Sequence, residues 1–470
     1  MIRFDTVILG GGPAGERAAV QAARAGKRAA LVEQENVVGG TCVNWGTIPS
    51  KTLRESAVFV RGLTTSKIEG IRCEITHRIT MSELMHHKRM VVQRELELIN
   101  RTLEKYAIEL FEGRGRFIDS HTISVTGKDG RERLRIHGDI IVIATGSTAN
   151  HPADVPFNPE TVFDSSSILD LSRLPESMIL LGAGVIGVEY ASIFGALGVQ
   201  VTLVDTRDQL LPYLDRETAG LLRRSLKKLG IVLVNEDRYR KIETIPGERP
   251  MVRCETVAGN VLESEVLLYC VGRDGNTRDL GLEEIGIVPN ERGLLEVNEF
   301  YQTGHPHIYA VGDVIGYPAL ASTSAEQGRQ AIRHAYNIPG PRGRTEVLPF
   351  AIYTIPEISY IGPTEEELQS AGIEYISGRG SYEMNPRGQI VGDTEGVLKL
   401  LFEAESLRLL GVHLIGTGAS ELVHIGQAFL CNHADARLIA ETLYNYPTLS
   451  DLYRHAALEA IAEHRRRMAR

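Results

Sequence analysis

Residues 5–33 read DTVILGGGPAGERAAVQAARAGKRAALVE, and this stretch decides the fold. Residues 5–9 are an apolar, largely β-branched run, which predicts a buried strand. It enters Gly10-Gly11-Gly12-Pro13-Ala14-Gly15, a GxGxxG turn. An Ala-rich helical stretch follows to Ala25, and residues 29–32 form a second apolar strand closing on Glu33. Strand, Gly-rich turn, helix, strand and terminal acid make a βαβ unit built for a dinucleotide.

The pattern returns at residues 178–205, MILLGAGVIGVEYASIFGALGVQVTLVD. Here the turn is Gly182-Ala183-Gly184-Val185-Ile186-Gly187, the helix runs to Leu197, and the second strand closes on Asp205. In both copies the acid follows the last glycine by 18 residues (15 to 33, 187 to 205). Glycine is 47 of 470 residues, so a bare GxGxxG arises by chance in roughly one such chain in two. One match is therefore weak, whereas two in full βαβ context are strong.

Each turn lets backbone approach a pyrophosphate at the positive end of a helix. Glu33 and Asp205 are placed to accept from a ribose diol. The bland alternative is a tight packing turn with a solvated acid. Two such sites in one chain imply two cofactors exchanging electrons.

Composition narrows the remaining classes. A length of 470 residues predicts two to four domains. The net charge of −9 argues against nucleic acid or an anionic membrane as main partner. Arg465, Arg466, Arg467 and Arg470 read as a cationic last helical turn. No signal peptide or membrane-length apolar run is evident. Five scattered cysteines, Cys42, Cys73, Cys254, Cys270 and Cys431, fit reduced thiols and a cytoplasmic setting. Without HExxH or Cys/His zinc spacing no metal site is expected, and His86-His87 read as surface or packing residues.

Between the two units, residues 82–106 read as a long packing helix. Thr80 and Glu83 offer a capping box, and Leu84, Met85, Val92, Leu96, Ile99 and Leu103 recur at near-helical spacing. Short strands then lead to Ile143-Ala144-Thr145-Gly146. The Pro-containing stretch 150–159 predicts a crossover between domains, with further boundaries at 272–276 and at Pro339-Gly340-Pro341-Arg342-Gly343. The expected fold class is α/β, with two Rossmann-like dinucleotide-binding domains plus a C-terminal α+β domain.

More specific stretches carry a resemblance. Gly39-Gly40-Thr41-Cys42-Val43-Asn44-Trp45-Gly46-Thr47-Ile48-Pro49-Ser50-Lys51 resembles the redox segment of the lipoamide dehydrogenase and glutathione reductase family. So do Ala144-Thr145-Gly146, Val271-Gly272-Arg273 and Tyr309-Ala310-Val311-Gly312-Asp313, in family order along the whole chain. The resemblance implies FAD at Gly10, Gly12, Gly15 and Glu33, with Gly39, Gly40, Thr41, Cys42, Gly115, Thr145, Gly146, Asp313 and Ala321 around it. It implies a nicotinamide nucleotide at Gly182, Gly184, Gly187, Asp205, Arg207 and Gly272. Domains would fall at 1–150 and 276–343 for FAD, 151–275 for NAD(P), and 344–470 for dimerisation.

The departures carry the function. The family has Cys-x4-Cys, whereas this chain has Cys42-x4-Thr47, and a hydroxyl can neither form a disulfide nor act as a thiolate. The family's His-Pro base and its Glu five residues on are here Tyr446-Pro447 and Asp451. A tyrosine with a pKa near ~10 is a poor base at neutral pH. Dithiol chemistry is thus lost at both ends. The flavin side remains: Lys51, which the family places beside the flavin N5, has Glu189 in its partner's position. The competing reading is a surface ion pair between domains. Cys42 reads as a small apolar side chain rather than a reactive thiol, and Trp45 as packing.

With no disulfide, reduced flavin has to pass electrons to an entering molecule. Asp205 favours NAD, and Arg207 could offset repulsion of a 2′-phosphate; its alternative role is an ion pair with Asp208. The soluble pyridine nucleotide transhydrogenases are the branch most similar to this chain, sharing the Cys-x4-Thr segment, Asn445-Tyr446-Pro447-Thr448 and His424-Ile425-Gly426-Gln427. That resemblance implies a cytoplasmic homodimer, or larger homo-oligomer, moving hydride between NADPH and NAD+ through FAD. The alternatives are an NAD(P)H diaphorase or quinone reductase, and a non-catalytic flavin-binding sensor. No nucleic acid or membrane partner is expected.

Overall fold

The computed structural model describes residues 1–64, 79–340 and 347–469. Cys73, Arg470 and the Pro341-Arg342-Gly343 part of the expected third boundary lie outside the described residues.

The first sheet places Ile2–Leu9 between Ala29–Glu33 and Glu132–Ile143, both parallel to it. Glu109–Glu112 adds parallel to Ala29–Glu33, and Ile308–Ala310 pairs with the far half of Glu132–Ile143. The opening strand begins at Ile2 rather than near Asp5, because Ile2, Arg3 and Phe4 find register partners in Ile136, His137 and Gly138. Pro13–Arg24 is the crossover helix, and its Ala14, Ala18, Ala19 and Ala22 are buried. Small side chains let Ala321–Ala335 pack closely against it: a Cβ on Gly328 would lie 2.1 Å from the Ala14 carbonyl oxygen.

A second, all-parallel sheet runs Val232–Val234, Gln200–Val204, Ser177–Leu181, Val266–Tyr269, Val162–Asp164. Its helix Val185–Ala196 is buried along almost its whole length, as expected of an element covered on both sides. The helix Met81–Lys105 has the expected reciprocal capping box between Thr80 and Glu83. Arg465–Arg467 fall in the last turn of Leu452–Met468. A five-stranded antiparallel sheet, Phe350–Ile352, Ile358–Ile361, Leu409–Ile415, Val397–Glu403 and Tyr375–Ser381, forms the C-terminal part.

The chain passes between the first two sheets twice, and the crossings pair with one another. Ser147–Ala149 and Arg273–Gly275 form an antiparallel ribbon, with Ser147 opposite Gly275 and Ala149 opposite Arg273. Sequence patterning marked the stretches but not their pairing.

Candidate active site

The two Gly-rich turns are near copies. Gly10 N donates to Val32 O and Gly182 N to Val204 O, each at 2.8 Å. The helix caps Gly12 and Gly184 share extended backbone, ψ −177° in both. The glycines divide by role. A Cβ on Gly15 would lie 1.9 Å from Gly10 O, and one on Gly187 the same distance from Gly182 O. These two positions hold helix against strand. Gly12 and Gly184 instead face open space, the nearest atom to a Cβ on Gly12 being 3.8 Å away. That is the surface a pyrophosphate needs.

A cavity of about 780 Å³ opens from the first turn. It is lined by Gly10, Gly12, Glu33, Gly40, Thr41, Cys42, Gly115, Thr145, Gly146, Asp313 and Ala321 among others. Gly15, Gly39 and Lys51 are not among the residues that line it. Gly39 N donates to Gly11 O at 2.8 Å and starts the short helix Gly40–Asn44. Glu33 accepts from Gly11 N at 2.7 Å and Glu35 N at 3.0 Å, and burial raises its carboxyl above the usual range. Thr145 Oγ1 is buried in this wall with no hydrogen-bond partner in the protein. An orphaned hydroxyl costs about 1–3 kcal/mol, so it marks a place for a ligand atom. The cavity's size, open turn and unpaired donor fit FAD.

Asp313 accepts from Ser147 Oγ at 2.8 Å, and Arg273 donates to Ser147 Oγ at 2.9 Å and to Ser147 O at 2.6 Å. The crossover ribbon therefore carries part of the cavity wall. Ser147 was not singled out from the sequence. Arg273 was visible only as the third residue of a family motif.

Gly182, Gly184, Gly187, Asp205 and Arg207 gather around the second turn. Gly272, at φ +87°, ends the strand side of the same domain and accepts from Asn150 N. Asp205 Oδ2 accepts from Ala183 N at 2.5 Å and Arg207 Nη2 at 2.8 Å; Oδ1 accepts from Arg207 N at 2.9 Å and Nε at 2.8 Å. The expected alternative, Arg207 paired with Asp208, is corrected: its partner is Asp205. A planar fork matches both oxygens of one carboxylate, and Asp205 is buried where its charge most lacks solvent. Burial would raise the Asp205 carboxyl, but the Arg207 and backbone hydrogen bonds hold it below the ordinary range.

The two halves meet at Lys51 and Glu189. Lys51 Nζ donates to Glu189 Oε2 at 2.6 Å, from helix Thr47–Thr64 to helix Val185–Ala196. Glu189 Oε1 accepts from Tyr353 N at 2.8 Å, and Lys51 Nζ lies 5.0 Å from the Tyr353 ring centroid. Three separate chain regions thus fix the pair. The side chains are 25% and 6% exposed, which sets aside a solvated surface bridge. Tyr353 had no sequence signal.

Burial pushes the Cys42 thiol above the ordinary range, and the nearby Thr47 hydroxyl and Lys51 charge offset it only in part. It is a protonated side chain at neutral pH. Tyr446 is 73% exposed, and Asp451 faces Arg454 at 3.8 Å and His455 at 3.4 Å. Among the described residues no His/Cys/Asp/Glu group could hold a metal ion, and no helix is long and apolar enough to cross a membrane.

Comparison with known proteins agrees with this geometry. Residues 4–328 match the family model described as pyridine nucleotide-disulphide oxidoreductase, and residues 348–457 match that family's dimerisation domain. The chain is 43% identical over 461 residues to a soluble pyridine nucleotide transhydrogenase of Mycobacterium bovis, covering 98% of each. It is 41% identical to one of Vibrio vulnificus, covering 97% of this chain and 98% of the relative. Among solved structures, LpdA of Mycobacterium tuberculosis superposes with TM-score 0.90 at 28% identity, covering 97% and 99%. The HOCl-induced flavoprotein disulfide reductase RclA of Escherichia coli gives 0.86 at 28%, with the same coverage.

Proposed function

The chain belongs to the pyridine nucleotide-disulphide oxidoreductase family, and from that premise we propose that it is an FAD-dependent transhydrogenase moving hydride between NADPH and NAD+. The observation that carries this reading is a contrast within one segment. Thr47 stands where the family's second sulfur belongs, while Lys51, four residues on, keeps its buried partner Glu189 at 2.6 Å. The dithiol half of the family's chemistry is gone and the nucleotide half is kept. The transhydrogenase relatives span almost the whole chain, in support.

When bound, FAD supplies a two-electron acceptor that takes and returns hydride. The protein's part is positional. Gly10 and Gly12 offer the open turn to the pyrophosphate while Gly15 keeps the helix close enough to reach it, Glu33 faces the adenosine ribose, Gly39 sets the start of the helix at Gly40, and Gly40, Thr41, Cys42, Gly115, Thr145, Gly146, Asp313 and Ala321 shape the remaining walls. Gly182, Gly184 and Gly272 face the nicotinamide nucleotide, Gly187 packs the helix against the strand so that its N-terminus reaches the pyrophosphate, and Asp205 and Arg207 meet the adenosine end. The Lys51 ammonium, held by Glu189, presents fixed positive charge where negative charge develops on hydride arrival. Both nucleotides use one pocket in turn, in a ping-pong cycle.

In this reading residues 1–150 and 276–343 form the FAD domain, 151–275 the nucleotide domain and 344–470 the dimerisation domain of a cytoplasmic homodimer. Nucleic acid and membrane have no part in it. Anaerobic stopped-flow absorbance tests the function: NADPH should bleach the flavin and NAD+ should restore it. Failure of either step refutes the proposal.

A further inference from the structure

We propose that Arg207 is a two-position selector that closes on Asp205 to admit a 2′-phosphorylated nucleotide and opens to admit one with a free ribose diol, an inference resting on the transhydrogenase reading of this pocket.

Each Asp205 oxygen accepts two hydrogen bonds, Oδ1 from Arg207 N and Nε, Oδ2 from Ala183 N and Arg207 Nη2. A carboxylate offers about four acceptor sites, so the closed fork leaves none for a ribose diol. The diol hydroxyls need an acceptor, and the closed site gives them a saturated, charge-neutral pair. A 2′-phosphate has the opposite requirement. It needs N–H donors and no bare carboxylate. In the closed fork the Asp205 charge is cancelled by Arg207, whose Nη1 donors are not used on Asp205.

The geometry allows the second position. Asp205 is 7% exposed on its side chain and is tied to the turn by Ala183 N, so it cannot follow. Arg207 is 41% exposed and carries the movable part of the pair. Its backbone stays fixed, with Arg207 N on Asp205 Oδ1 and Arg207 O accepting from Glu236 N at 3.4 Å. Swinging the guanidinium into solvent costs two charge-assisted hydrogen bonds and frees two acceptor positions on Asp205. A diol can then take both. The same residue thus serves a donor and an acceptor whose adenosine ends differ only at the 2′ position, as one pocket used in turn by NADPH and NAD+ demands.

The test uses FAD-loaded protein and two fragments that cannot reduce flavin: adenosine 2′,5′-bisphosphate and 5′-AMP. Their dissociation constants are measured calorimetrically at one ionic strength for wild type, Arg207→Ala and Asp205→Asn. Arg207→Ala should weaken the bisphosphate about tenfold, the value of a charge-assisted contact, and should tighten 5′-AMP because no fork has to open. Asp205→Asn should weaken 5′-AMP while retaining the bisphosphate. If 5′-AMP fails to tighten in Arg207→Ala, the two-position mechanism is wrong. Equal losses of both fragments mark a merely structural residue and overturn it as well. Should Arg207→Ala lose FAD, Arg207→Gln is read by the same criterion. Failure of NADPH to bleach the wild-type flavin would instead refute the functional reading, leaving the fragment result separate.

Discussion

Lys51 and Glu189 are 138 residues apart in sequence and 2.6 Å apart in space, and each comes from a different dinucleotide unit. The contact ties the segment beside the flavin cavity to the helix that opens at the second glycine turn. Glu189→Gln keeps the shape and the acceptor for Tyr353 N but removes the charge that holds the ammonium. Reduction of the flavin by NADPH in stopped-flow should slow on the order of 100-fold. Retention of wild-type rates would show that the pair is structural.

Thr47→Cys should rebuild the sulfur pair with Cys42, since the Thr47 side chain lies close enough to that thiol to influence its charge. Anaerobic titration should then consume two further electrons per flavin. Lipoamide reduction should still be absent, because the exposed Tyr446 supplies no base.

The glycine pair in the second turn gives a directional test. Gly187→Ala would drive its Cβ to 1.9 Å from Gly182 O, whereas Gly184→Ala meets nothing within 4 Å. Gly187→Ala should lose about 1–3 kcal/mol and lower the thermal midpoint. Gly184→Ala should melt like wild type yet raise KM for both nucleotides, as its methyl fills the space left for pyrophosphate.

Thr145→Val replaces a buried hydroxyl that has no partner in the protein with an isosteric methyl. Stripped of cofactor, the variant should be as stable as wild type or more so. Its FAD dissociation constant should rise about tenfold if the hydroxyl bonds the cofactor. An unchanged constant would remove Thr145 from the cofactor contacts.

Lys399 joins the C-terminal sheet to the nucleotide unit through Asp215 at 2.7 Å and Glu217 at 3.2 Å, and also meets Glu365 of its own part at 3.3 Å. The Lys399 and Asp215 side chains are 3% and 1% exposed, so Lys399→Met should cost about 3–5 kcal/mol. Burial opposes the charge on each, but the mutual ion pair wins, raising the Lys399 pKa and lowering that of Asp215. The lysine's contribution is full below its ordinary pKa and lost as pH rises through the raised one. The aspartate's is full above its ordinary pKa and lost as pH falls through the depressed one. With ordinary values of about 10.4 and about 3.9, the gap in Tm between wild type and variant should be flat from about pH 5 to 9 and shrink outside that window.

What could be read from the chain follows from how local each signal is. The two βαβ units, their acids and the Thr80–Glu83 capping box are written within a few turns of backbone, and the strands, helices and box lie close to the expected positions. Lys51 and Glu189 were reachable only through resemblance, since nothing in either segment names the other. Tyr353, Ser147 and Lys399 act across domains and leave no periodicity or spacing behind. The Asp208 ion pair, one of the two readings of Arg207, rests on adjacency in sequence, whereas burial and fork geometry select Asp205.

The antiparallel ribbon of Ser147–Ala149 and Arg273–Gly275 brings both ends of the intervening segment to one point. That segment is therefore a cassette whose chain enters and leaves at one socket. A homologous insert taken from a relative with another coenzyme appetite would have to match the two ribbon strands, the carboxylate at position 189 that meets Lys51, and the Asp215 and Glu217 carboxylates that meet Lys399. Coenzyme choice can drift in such a protein while the flavin cradle stays as it is.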